Sequence, residues 1–338
     1  MKLRFLYFFT ICLFLVQCRS SDPAKQPTGL GAAQIAGVNW ADARDNFIDG
    51  WVIPSGLSSS DDYATVSAKA NAVLTGFQNN MPGVNTVRLP INPPSVLESW
   101  WNAYTGAIDR ATTKNMKVIL SYWEETSSGD GRIDDTTQFW NMWQTVVNQY
   151  SGNSNLYFEI INEPWGYSLS ELTTLYAEWL SRYPGVSRDR ILLGGTGSSA
   201  DVTQIGADNR FSNCLLALHN YAFWNVHSTT SEWEQDWSNR IGGYASRTVV
   251  TEFGATMTTG KDYTGAVNGD NEIAYMQGST NLFRSGVASV YWPGLKDNDG
   301  YSLQNRGGTG TNITLITTNS SGVQRVRYGW GEAVGGGE

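Results

Sequence analysis

The sequence predicts an α/β chain closed into a single (β/α)8 barrel, and three observations carry that prediction. Eight short apolar runs recur along the chain, amphipathic stretches with helix signals separate them, and the alternation fills about 300 residues, the length and order of eight β-then-α units. The runs are Gln34 to Trp40, Val84 to Ile91, Lys117 to Trp123, Leu156 to Asn162, Arg190 to Thr196, Leu215 to Tyr221, Thr248 to Phe253 and Val287 to Trp292. Their mostly continuous Val/Ile/Leu character suits strands buried on both faces, as in a parallel sheet. A doubly wound open sheet is the rival, but the Gly-rich phosphate loop it would often carry after its first strand is missing.

Ahead of the first run, Lys2 and Arg4 precede an apolar stretch from Phe5 to Val16, the layout of an export signal over residues 1–17. Leu15-Val16-Gln17-Cys18 resembles the lipobox of bacterial lipoproteins, so Cys18 is a candidate for lipidation. Residues 18–32, polar with prolines and glycines, are expected to form a flexible tether, and residues 33–338 the barrel domain. An exported protein, extracellular or at the outer surface or in the periplasm and held by lipid, is the expectation. Of the three cysteines only Cys214 lies in the barrel, in an apolar run where it reads as a small buried hydrophobe.

Between the strands, Ser95 with Glu98 and Ser168 with Glu171 have the spacing of capping boxes. Leu172, Leu175, Tyr176, Trp179 and Leu180 then repeat at helical spacing, as do Phe139, Trp140, Trp143, Val146, Val147 and Tyr150. These aromatic stripes read as core contacts. At the tail, Asn312 to Thr318 alternates like a strand, while Val323 to Trp330 could pair with it or form the closing helix.

The net charge of −8, without any Lys/Arg run, disfavours nucleic acid as a partner. A monomer acting on a neutral or cationic partner is expected. Two histidines and one barrel thiol do not suggest zinc, and Asp297-Asn298-Asp299-Gly300 lacks the downstream Glu of a calcium loop, so no metal or cofactor is expected. Gly129 to Asp135 reads as a solvated loop and helix cap.

In a barrel the reacting groups belong at the C-terminal ends of strands. Here those ends carry Asn39-Trp40, Arg88, Trp123-Glu124-Glu125, Asn162-Glu163, His219-Asn220-Tyr221, Glu252 and Trp292. Glu163 and Glu252, on strands four and seven, would face each other across one rim. Two carboxyls about 5 Å apart across a glycosidic bond can cleave it with retention, one attacking the anomeric carbon and the other protonating the leaving oxygen.

The segments NTVRLPI, FEIINEP, LALHNYAF, VVTEFG and VYWPG, in this order from residue 33 to about 300, resemble glycoside hydrolase family 5, the cellulase-like retaining glycosidases of clan A. The resemblance implies a retaining glycosidase acting on β-linked glycans, like an endo-β-1,4-glucanase. It implies Glu163 as acid/base, Glu252 as nucleophile and Asn162 as the ligand of the sugar 2-hydroxyl. Arg88 and Tyr221 would hold the nucleophile ionised, His219 would line the pocket, and Trp292 would stack on the sugar. Many members end the third strand with Asp-x-His, whereas this chain has Ser121-Tyr122-Trp123. Hydrolysis survives that departure, but the choice of glycan does not.

Trp40, Trp123, Trp165, Trp224 and Trp292 all fall at or just past strand ends, where indole faces suit pyranose rings. Trp40 and Trp123 are therefore further candidates for substrate contact. A β-mannanase, another β-glycan specificity or exo action stays open as an alternative, and so does a surface lipoprotein that holds glycans without cleaving them.

Overall fold

The computed structural model describes residue 32, residues 35–45 and residues 47–332. The expected export signal, Cys18 and nearly all of the tether lie outside the described residues.

The elements run β1 Ala36–Trp40, α1 Tyr63–Asn80, β2 Thr86–Ile91, α2 Pro93–Leu97, α3 Trp100–Thr113, β3 Lys117–Tyr122, α4 Thr136–Tyr150 and β4 Leu156–Glu159. They continue with α5 Leu169–Arg182, β5 Ile191–Gly194, α6 Thr196–Ser199, α7 Thr203–Gly206, β6 Leu215–His219, α8 Thr230–Ile241, β7 Thr248–Glu252, α9 Asn271–Arg284 and β8 Ala288–Leu295. The last elements are β9 Gln304–Thr309, β10 Asn312–Thr317 and α10 Ser320–Gly329. Strands β1 to β8 pair in sequence order and close β8 onto β1, all parallel, which is the (β/α)8 barrel the sequence predicts. Every expected strand is present. The largest differences at an end are three residues: β4 stops at Glu159 and does not run on to Asn162, and β8 continues past Trp292 to Leu295.

Strand alternation sorts side chains into two populations. Ile119, Tyr157, Leu192, Leu215, Ala217, Val249, Ala288 and Val290 form an apolar cluster of their own drawn from six strands, the filling of the lower barrel. Their sequence neighbours, such as Val118, Leu120, Phe158, Leu193, Leu216 and Val250, belong to the larger cluster between sheet and helices. The aromatic stripes pack there as expected: Trp143 of α4 meets Trp179 of α5 edge-on at 5.5 Å, and both are wholly buried. Burial of each such side chain contributes roughly 2 kcal/mol. Cys214 is buried in the same layer, and burial pushes its thiol up to about 11, so it behaves as a hydrophobe.

The capping box at Ser168 and Glu171 forms as the sequence predicts, and a second one at Thr229 and Glu232 starts α8. The pair Ser95 and Glu98 does not form one. Pro93 and Pro94, lacking N–H groups, suit a first helical turn, so α2 starts at Pro93 with the Asn92 side chain as its cap. Ser95 instead accepts the Val52 N–H through its hydroxyl.

In the tail, β9 and β10 make an antiparallel hairpin outside the barrel, and α10 is the closing helix. Leu315 of the hairpin packs on Gly76 of α1 so closely that a Cβ there would come within 2.6 Å of it. The Asp297–Gly300 stretch is a polar loop held by ion pairs, Asp297 to Arg306 at 2.6 Å and Asp299 to Lys296 at 2.8 Å.

Candidate active site

The inward residues of the upper barrel are polar. Arg88 of β2 is completely buried and reaches five acceptors. Its Nε donates to Glu159 at 2.5 Å, Nη1 to Glu252 at 2.6 Å and Asn39 at 2.9 Å, and Nη2 to Asn162 at 2.7 Å and Ser121 at 3.1 Å. Burial alone would lower the pKa of this guanidinium, but Glu159 and Glu252 outweigh it and raise it. Arg88 thus supplies a fixed positive charge in a place water does not reach.

Glu252 ends β7 opposite His219, where a register irregularity lets both Thr251 and Glu252 reach the site. Its carboxylate takes Arg88 on one oxygen and the Tyr221 hydroxyl, at 2.8 Å, on the other. Burial raises its pKa, opposed by His219, Arg88 and the Tyr221 hydrogen bond. The resemblance implies that Arg88 and Tyr221 favour its ionised form, and they do oppose the shift, but desolvation at 1% exposure is the larger effect.

Glu163 lies past the end of β4 and holds a left-handed backbone, φ 45°, which costs a non-glycine residue about 1 kcal/mol or more. That turn aims its carboxyl at His219, whose Nδ1 is 2.9 Å from Oε1. Burial, reinforced by Glu159 and Asp45 and opposed by Arg88, pushes its pKa up to about 7. Carboxyl oxygens of Glu163 and Glu252 come within 4.8 Å of each other. Of the two carboxyls, only Glu252 accepts hydrogen bonds from Arg88 and Tyr221, donors that favour its charged form, and Glu163 has neither. His219 completes a trio whose donor atoms could meet a metal ion, but Arg88 and Tyr221 already occupy the Glu252 oxygens, and the set reads as an acid–base one.

These groups open into a cleft of about 320 Å³ lined by Glu163, Glu252, Tyr221 and Trp292, with Asp45, Ser198, Phe223, Trp224, Lys296, Asp299 and Tyr301 along its walls. Asn162 gives its oxygen to Arg88, which leaves its buried amide N–H groups without a protein partner. Phe223 is 67% exposed and stacks on Tyr221 at 5.0 Å, and Trp165, on the loop of Glu163, is 49% exposed.

Two expected substrate contacts lie elsewhere. Strand alternation turns Asn39 inward, so Trp40 points outward, wholly buried, with its indole N–H on the Ser55 carbonyl at 2.9 Å. Trp40 is a core residue. Trp123 is 1% exposed and backs Trp292, ring centroids 5.9 Å apart, with Phe47 edge-on at 5.6 Å and the Arg88 guanidinium 5.1 Å away. It supports the cleft wall through Trp292.

Glu159 is the residue the sequence reading passed over. A charge inside an apolar strand, three residues before Asn162, was the available signal, with Arg88 as its counterpart in β2. Thr251, bridging His219 at 3.0 Å and Glu159 at 3.3 Å, carried no such signal.

A parallel barrel whose mouth sets two carboxyls this close, one of them paired with a buried guanidinium, has the build of a glycosidase. The comparisons with known proteins give the family. A model of the cellulases of glycosyl hydrolase family 5 matches residues 54–293, and the chain belongs to that family of hydrolases of O-glycosyl bonds. Endoglucanase Z of Dickeya dadantii is 28% identical over 204 residues, 56% of this chain and 45% of that one, so the chain spans less than half that relative's length. XacCel5A in complex with cellopentaose superposes with a TM-score of 0.57 at 14% identity, over 86% of this chain and 99% of that one. The catalytic domain of Thermobifida fusca endoglucanase Cel5A gives 0.55 at 17%, over 86% and 90%. At these identities the structural likeness speaks for the fold.

Proposed function

We propose that the protein is a retaining endo-β-glycanase, with β-1,4-glucan as its first candidate substrate. The observation that carries this reading is the approach of Glu163 and Glu252 to within 4.8 Å, the close spacing of a retaining pair and not the wider one of an inverting pair. Glu252, ionised against Arg88 and Tyr221, attacks the anomeric carbon. Glu163, neutral because of its burial, gives its proton to the leaving oxygen. Water then enters on the side the leaving group vacated, Glu163 takes its proton, and the glycosyl–Glu252 ester opens with configuration restored. The free amide N–H of Asn162 suits the sugar 2-hydroxyl, where a hydrogen bond tightens as charge develops on the ring.

Endo action and a β-glucan are supported by the relatives' descriptions and by exposed aromatic surface for further sugar units, Phe223 on the cleft wall and Trp165 two residues past Glu163. The test is reducing-sugar release from β-glucans, mannan, xylan and galactan by the wild type and by Glu252→Gln. Release that disappears with the substitution establishes the reaction and names the glycan; no release from any of them by folded protein overturns the reading. We also propose export and lipid attachment at Cys18, on the Lys2/Arg4-led apolar run and the sequence that ends it. Labelling with a radioactive fatty acid, lost in Cys18→Ala, checks this.

A further inference from the structure

The proposed mechanism requires Glu163 to hold a proton, and the hydrogen bonds around His219 say where that proton is kept. Glu159, ion-paired to Arg88 at 2.5 Å, offers only acceptors. The hydroxyl of Thr251 donates its single proton to Glu159 Oε1 at 3.3 Å. Thr251 Oγ1 therefore has only lone pairs left for His219 Nε2, 3.0 Å away, so Nε2 must carry the ring proton. Burial lowers the pKa of His219 and keeps the ring neutral, with one N–H in all. Nδ1 is then a bare acceptor, facing Glu163 at 2.9 Å and Glu252 at 3.6 Å. Glu252 is already served by Arg88 and Tyr221, so the proton that satisfies Nδ1 has to come from Glu163.

We propose that Glu159 and Thr251 are positioning residues that hold the His219 imidazole in its Nε2–H tautomer, so that the Nδ1 lone pair keeps the catalytic proton on Glu163. The inference rests on Glu163 being the acid/base. The charges facing the pair come from every side of the mouth: Arg88 from β2, Glu159 from β4, Glu252 from β7 and Asp45 from the loop after β1, with the Tyr221 hydroxyl following β6. The same lone pair works in the second half of the reaction. Once Glu163 has given up its proton, its carboxylate faces an acceptor instead of a donor, which makes it the stronger base toward the incoming water.

The chain has two histidines, so nitrogen-15 NMR of histidine-labelled protein reads the tautomer directly, and His227→Gln assigns the signals. The expected result is Nε2–H for His219 in the wild type. Thr251→Val removes the acceptor, frees the ring to donate from Nδ1 and so favours ionised Glu163. The alkaline limb of the kcat/KM profile should then fall by about one pH unit, and Thr251→Ser should restore it. A wild-type Nδ1–H tautomer overturns the proposal, as does an alkaline limb that Thr251→Val leaves unmoved. Full activity in Glu163→Gln would instead remove the acid/base assignment beneath it, and the NMR tautomer distinguishes that failure from the first.

Discussion

The lower and upper halves of the barrel interior are built from the same strands and have opposite chemistry. Two residues further along each strand, Ile119 gives way to Ser121, Tyr157 to Glu159, Ala217 to His219 and Val249 to Thr251. All eight side chains are at most 6% exposed. The lower layer gains by leaving water. The upper layer loses by it unless every charge and donor finds a partner, which is the work of Arg88 and its five acceptors. The comparison teaches that the lower half holds the barrel closed with simple apolar packing, while the upper half trades stability for two buried carboxyls held close together with different hydrogen-bond partners.

That contrast can be broken at either layer. The largest effect is expected for Glu252→Gln, which leaves the fold intact and lowers kcat by about 10⁴-fold or more, measured on whichever glycan the wild type cleaves. Arg88→Met should come next. It strands Glu159 and Glu252 without a cation and should cost about 3–5 kcal/mol in urea unfolding, with activity lost as well. In the lower layer, Leu192→Ala should cost about 3 kcal/mol through the cavity it leaves, while the folded fraction keeps its pH profile. If Leu192→Ala moved that profile, the two layers would not be separable.

A pH-dependent stability should mark the upper layer and not the apolar lower one. At pH well below 4.5 Glu163 is protonated folded and unfolded and costs nothing. Between 4.5 and about 7 the unfolded chain releases this proton while the folded protein keeps it, so stability falls as pH rises. Above 7 the cost is complete, at most roughly 3 kcal/mol. Glu163→Gln should remove it, so that the variant gains on the wild type between pH 5 and pH 8 in paired urea titrations, although it is the poorer enzyme. The smallest effect is expected at the cleft wall, where Phe223→Ala should raise KM on long substrates by a few-fold, about 1 kcal/mol, and leave kcat within a factor of two.

Much of this architecture is legible in the sequence, for reasons that individual residues make plain. Strands buried on both faces must be continuously apolar, so runs such as Lys117–Tyr122 stand out, and a carboxylate after one of them is conspicuous. The Glu163 and Glu252 pair follows from that. Trp40 does not, because facing depends on a parity of two that an apolar run conceals; only Asn39 bonding inward to Arg88 reveals it. Glu159 is hidden inside the run that announces Glu163, and its partner lies in another strand. The Ser95–Glu98 spacing misleads because two prolines start the helix earlier than the box would.

The central claim is that Glu163 and Glu252 act by double displacement, and the anomeric configuration of the first product tests it most directly. Proton NMR of a soluble β-glucan digest, recorded before mutarotation, should show the new reducing ends appearing as the β-anomer, with the α-anomer growing in later. Initial appearance of the α-anomer would mean single displacement and would contradict the account.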